Sequence, residues 1–117
     1  MEDVLIVDGY NIIGAWPHLR DLRETDLDQA RNRLVESIAD FQAFSGTKCI
    51  VVFDAYNVPG VGRKYNLRNV EVYYTKERET ADECIERLVK ELKGRRRQIY
   101  VATSDFTEQN VAFAAGA

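Results

Sequence analysis

Apolar positions along the chain fall into two kinds of pattern. Residues 4–7 (VLIV) and 48–53 (KCIVVF) are nearly unbroken runs rich in β-branched side chains, as strands covered on both faces of a parallel sheet require. The run at 98–103 (QIYVAT) reads the same way, whereas 69–74 (NVEVYY) alternates and is expected nearer a sheet edge. Between the first two runs, Leu27, Ala30, Leu34, Ile38 and Phe41 recur every three or four residues, one face of an amphipathic helix that Gly46 ends. A second helix lies in TADECIERLVKELKG, where Thr80 and Glu83 have capping-box spacing. Ile85, Leu88 and Leu92 give it an apolar face, and Gly94 a stop. SDFTEQNVAFAAGA opens as a further helix, capped by Asp105 or Thr107. It breaks off in its middle, so the natural protein is expected to continue beyond residue 117. Residues 54–68, punctuated by Pro59, Gly60 and Gly62, read as a loop.

The order strand, helix, strand, loop, strand, helix, strand, helix predicts an α/β domain. Its mainly parallel sheet has at least four strands, layered between helices. The 117 residues are material for one domain, 1–117, and the balance of 45% apolar to 30% charged residues excludes a disordered or fibrous chain. No apolar run approaches the roughly 20 residues of a membrane span, and the N-terminus lacks a signal peptide, so the chain is read as cytosolic with no membrane partner. Cys49 and Cys84 sit in apolar runs without a C-x-x-C pair or flanking histidines, which makes them reduced packing residues. His18 is the one histidine, leaving little from which to build a zinc site or a Ser-His-Asp triad. A net charge of −3 means that any polyanion must be held by a local patch.

The acids supply the chemistry. Asp8 follows the first strand, Asp54 the second and Asp105 the last, while Asp82 and Glu83 open the helix after the third. In a parallel sheet all these positions belong to the carboxyl edge, where α/β proteins place their sites. Carboxylates crowded together take up protons unless a cation neutralises them. An all-oxygen cluster without His or Cys suits Mg²⁺ or Mn²⁺, and such a site suits phosphodiester hydrolysis. Each acid also has a plainer use as a helix cap, a dipole partner or a turn residue. Capping alone, however, does not call for an acid after nearly every strand. Asn11 is a cap by itself, but three residues after Asp8 it can orient a carboxylate or a water. Thr103 and Ser104 either serve the site or satisfy backbone groups.

Four segments in this order, VDGYNII (7–13), FDAYNVPG (53–60), ETADECIE (79–86) and TSD (103–105), resemble the NYN domains of the PIN-like nuclease superfamily, in particular the YacP-like branch. The resemblance runs over essentially the whole chain. It implies a three-layer PIN-like fold and a metal-dependent endoribonuclease using Mg²⁺ or Mn²⁺, with mRNA as substrate and the ribosome as a partner. It makes Asp8, Asp82 and Asp105 the metal ligands, with Asn11 completing the first motif. Asp54 matches a more variable fourth position, and Glu79 and Glu83 flank Asp82 as weaker candidates.

A polyanion also needs cations nearby. Arg63, Lys64 and Arg68, with Tyr65 among them, lie in the loop leaving the edge that carries Asp54, and Lys76 and Arg78 precede the middle helix. The denser KGRRRQ at 93–98 precedes a strand and belongs to the opposite edge. Tyr10 and Trp16 either line the cleft or pack its rim. A noncatalytic RNA- or ribosome-binding adaptor of the same fold is the competing reading, which the acids disfavour because they repel RNA. A phosphoryl-accepting receiver domain is remote: Asp8 has no second acid beside it, and nothing after Asp105 is basic.

Overall fold

The structure, a computed structural model, describes residues 3–54, 64–75, 79–93 and 98–103. Strand β1 (Val4–Asp8) leads into three successive helices, α1 (Gly9–Ala15), α2 (Pro17–Thr25) and α3 (Leu27–Ser45). Strands β2 (Lys48–Phe53), β3 (Lys64–Leu67) and β4 (Val70–Tyr74) follow, then helix α4 (Ala81–Leu92) and strand β5 (Ile99–Ala102).

Together the strands form one five-stranded sheet in the order β3-β4-β2-β1-β5. Pairings β1–β2, β1–β5 and β2–β4 are parallel, and only β3 runs antiparallel, against β4. The chain therefore moves outward from β1 through β2 to β4, then returns to the far side of β1. This reversal lies between β1 and β5, the kind of position where open α/β sheets form a crevice at their carboxyl edge.

Side-chain alternation along the strands fills two cores. Val7, Cys49, Val51, Phe53, Val70 and Val72 face α1 to α3, packing with Ile12, Ile13, Leu19, Leu34 and Ile38. Val4, Ile6, Ile50, Val52 and Ile99 face α4, which buries Ala81, Cys84, Ile85, Leu88 and Val89 against them. Because β1 and β2 are covered on both sides, they had to be nearly continuous in apolar residues. Truncating Leu34, fully buried in the first core, would cost about 2–5 kcal/mol.

Several connections depart from the sequence expectation. Three helices, not one, join β1 to β2; α1 and α2 are short, and Pro17 at the start of α2 is well placed for its fixed φ. Asp26 caps α3, its carboxylate accepting from the Gln29 N–H at 3.1 Å, and Gly46 at φ 76° ends that helix. Part of the expected 54–68 loop is strand β3, joined to β4 by a two-residue turn with positive φ at both Arg68 and Asn69. That is the type I′ geometry whose twist suits a hairpin, here made without the glycine that usually signals it. The 69–74 run becomes the second strand from the edge. The expected helix after residue 104 lies outside the described residues.

Candidate metal and substrate site

Asp8 ends β1 with only 7% of its surface exposed. Strand alternation sets it on the face of Ile6 and Val4, toward α4. Val7 pairs with Ala102, so Asp8 and Thr103, both buried, flank the point where the sheet reverses its order. Asp8 occupies the N-cap position of α1, yet its side chain makes no capping hydrogen bond there. The plain use of this acid as a cap is therefore not realised. Asp54 follows Phe53, whose register partner is Tyr74, and lies partly buried beside Thr75. The Thr75 N–H donates to the Phe53 carbonyl at 3.0 Å, holding the two strand ends together.

Helix α4 carries the next acid. Thr80 and Glu83 form the full capping box: the Glu83 N–H donates to Thr80 Oγ1, and the Thr80 N–H to Glu83 Oε1, each at 3.1 Å. Glu83 is thus committed to the backbone, which leaves Asp82, exposed in the first turn, with no capping duty. Glu79 is held by Arg87, whose Nε and Nη2 donate to its carboxylate at 3.2–3.4 Å. Both weaker candidates flanking Asp82 therefore have structural work.

Gly9 and Phe53 set the geometry around Asp8. A Cβ on Gly9 would lie 2.3 Å from Phe53 Cε1, so any larger residue at the start of α1 would force the Phe53 ring to move. Phe53 is fully buried, with Tyr10 at 5.0 Å and Tyr74 at 5.5 Å between ring centroids. Burial holds the Tyr10 hydroxyl above the usual phenol range; the bond and charge of Arg31 pull it down, while Tyr74 and Asp54 add to the rise. Asn11 stands partly buried in α1, and Trp16, exposed between α1 and α2, stacks on His18 at 6.0 Å.

The basic candidates separate. Lys64 opens β3 opposite Tyr73, at the carboxyl edge, and Tyr65 follows it. Arg68 lies at the other end of that hairpin, before β4 begins, and so at the amino edge. There Glu36 and Asp40 of α3 bind its guanidinium at 3.1 and 2.9 Å. The expectation that Arg68 shares the edge of Asp54 is corrected: a two-residue hairpin carries it the length of a strand away. Asp105, Ser104, Arg63, Lys76 and Arg78 lie outside the described residues.

Among the described residues no three of His, Cys, Asp and Glu come together as a metal cluster. The donor chemistry that the described residues bring to the carboxyl edge is nonetheless that of oxygen, compatible with a divalent cation. A buried carboxylate at the sheet reversal, a second carboxylate free of capping duty and an absence of His and Cys ligands favour a hard ion. Both cysteines are free and buried, each pushed up to about 11 chiefly by burial. No helix among the described residues is long and apolar enough to cross a membrane.

Residues 5–117 match the family model of the YacP-like NYN domain. The chain is 50% identical to the protein YacP of Bacillus subtilis (strain 168) over 115 residues, covering 98% of this chain and 68% of that protein. A crystal structure of Rae1 (YacP) from Bacillus subtilis matches with a TM-score of 0.82 at 50% identity, covering 98% of this chain and 66% of that one. A single-substitution variant of the same protein matches at 0.83 and 48% identity, covering 98% and 67%. The chain thus spans about two thirds of the length of these relatives.

Proposed function

We propose, for a chain that belongs to the YacP-like NYN domain family of the PIN-like nuclease superfamily, that it is a metal-dependent endoribonuclease hydrolysing RNA phosphodiester bonds. The observation that carries this reading is Asp8. An acid with 7% of its surface exposed stands at the carboxyl end of β1, where the sheet reverses its order, and it does not cap the helix that follows it. That is the place where parallel sheets put their sites, and an oxygen donor there suits a divalent cation.

Asp8, Asp82 and Asp105 would hold Mg²⁺ or Mn²⁺, with Asp54 as a supporting ligand. When bound, such an ion polarises the phosphodiester and lowers the pKa of an attacking water. The chain's own residues do the rest. Asp8 is fixed by β1, and Asp82 by the capping box of α4, so neither ligand has to be ordered during the reaction. Asn11, in the first turn of α1, would orient the attacking water. Lys64, Tyr65, Arg63, Lys76 and Arg78 are proposed to hold the RNA strand. Arg68, bound by Glu36 and Asp40 at the opposite edge, is left out. The family resemblance extends the proposal to mRNA, cut on the ribosome.

Cleavage of an end-labelled single-stranded RNA, and of mRNA on ribosomes, in Mn²⁺ or Mg²⁺ against EDTA tests this, with Asp82→Asn alongside. Cutting that needs the metal and is lost in the variant supports the assignment. Binding without cutting in every condition would favour the adaptor reading instead.

A further inference from the structure

Tyr10 and Arg31 make a contact that the acid site itself does not require. Arg31 rises from the second turn of α3, its side chain 15% exposed, and its Nη1 donates to the Tyr10 hydroxyl oxygen at 3.0 Å. Its Nη2 pairs with Asp28, a carboxylate 79% exposed. A phenol carries one proton, and a guanidinium accepts none. With Arg31 on the Tyr10 oxygen, the phenolic proton has to be offered in another direction. Among the described residues the hydroxyl makes one hydrogen bond, the one it accepts from Arg31.

The place of that hydroxyl gives the free donor its meaning. Tyr10 lies two residues after Asp8, and its ring packs on Phe53, the residue before Asp54. A neutral donor backed by a cation therefore stands near the carboxyl ends of β1 and β2, on the α3 side of the edge whose Asp8 faces α4, and close enough to Asp54 to feel its charge. Preorganised donors of this kind are effective because they need no reorientation when the anion arrives. Tyrosine hydroxyls also belong to the set of side chains that position nucleic-acid phosphates.

We propose that the Tyr10 hydroxyl, oriented by Arg31, donates to a non-bridging phosphate oxygen of a single-stranded RNA lying across the site. Tyr10 is then a substrate contact and Arg31 a positioning residue acting through it. The inference rests on the nuclease reading but is tested by binding, so the two can fail separately.

The experiment is fluorescence anisotropy of a short fluorescein-labelled single-stranded RNA in EDTA, with the DNA of the same sequence beside it. Tyr10→Phe keeps the ring on Phe53 and removes only the hydroxyl. It should weaken binding about tenfold, the worth of one hydrogen bond to a charged group, equally for RNA and DNA. Arg31→Met should lose a similar factor and Arg31→Lys recover much of it, with melting temperatures unchanged. Neutralising one phosphate at a time with methylphosphonate should reveal a position that costs the parent protein affinity but costs Tyr10→Phe nothing more. Unchanged affinity in Tyr10→Phe overturns the inference, as does a loss confined to RNA, which would assign the hydroxyl to the ribose. A parent protein that binds here but does not cut RNA in Mn²⁺ or Mg²⁺ defeats the nuclease reading and leaves this contact standing on its binding data. A parent that does not bind in EDTA defeats this contact, while the nuclease reading is decided by cleavage in the metal.

Discussion

Replacing Gly9 with alanine tests how Asp8 is held in place. Gly9 has no positive φ, so its need is for space, not for backbone freedom. The added methyl would meet Phe53 at 2.3, 2.5 and 3.1 Å, where carbon atoms ordinarily rest about 3.5–4.0 Å apart. The ring has to retreat by about 1 Å or more, yet it is 0% exposed and wedged against Tyr10 and Tyr74. Overpacking of this kind costs about 1–3 kcal/mol. The better helix propensity of alanine returns at most about 1 kcal/mol, and less at the first helical residue. At about 4 °C per kcal/mol for a domain of this size, the melting temperature should fall by several degrees. Urea denaturation of Gly9→Ala, Phe53→Leu and the double variant gives the assay. Leucine shortens the offending ring, so the two changes should couple by about 1 kcal/mol or more, alanine being nearly harmless once the ring is gone. Purely additive losses, or a Gly9→Ala protein as stable as the parent, would refute the argument that Phe53 dictates this glycine.

Other consequences follow from the same geometry. Thr80→Ala removes the reciprocal cap of α4 and should lower stability by about 1 kcal/mol in urea denaturation. Cys49 and Cys84, held at about 11 against an ordinary 9.0, should resist a disulfide reagent at pH 8. About 0.1% of each is thiolate there, against about 10% in the unfolded chain, so labelling should track unfolding. The sign on stability is the same: the neutral thiols' contribution is complete below pH 9 and is lost as pH rises through 11. Chemical denaturation across that range should show the decline, smaller when both are replaced by alanine. Arg68→Ala, at the amino edge, should leave the cleavage rate and RNA affinity of the parent unchanged when both are assayed.

Strands β1, β2 and β4, with α3 and α4, were legible because each imposes a period: continuous apolar runs where both faces are covered, alternation toward the edge, every third or fourth residue where one helix face is. The 98–103 run was legible as a strand, but β5 lies at the edge of the described sheet with Tyr100 exposed and is not the doubly covered strand expected. The capping box of α4 was legible down to its two hydrogen bonds. Helices α1 and α2 were hidden because they are only 7 and 9 residues long, too short for a period to establish itself. Strand β3 was hidden because its turn uses Arg68 and Asn69 in place of the expected glycine. The edge on which Arg68 falls depends on that hairpin, so its misplacement came with it. For the acids, sequence order alone sufficed to set Asp8 and Asp54 at neighbouring strand ends. Arg31 gave no signal, since its partner Tyr10 is 21 residues away and meets it only through the packing of α1 on α3.

The central claim is that the carboxyl-edge acids exist to hold a metal that cuts RNA, and Asp8→Asn tests it most directly. Asparagine keeps the size of this buried side chain and removes its carboxylate. The measurement is the rate of RNA cleavage in Mn²⁺ by this variant, with its folding verified by circular dichroism. A folded protein that has lost cleavage is the result the account predicts. A folded variant that cuts at the parent's rate would contradict it.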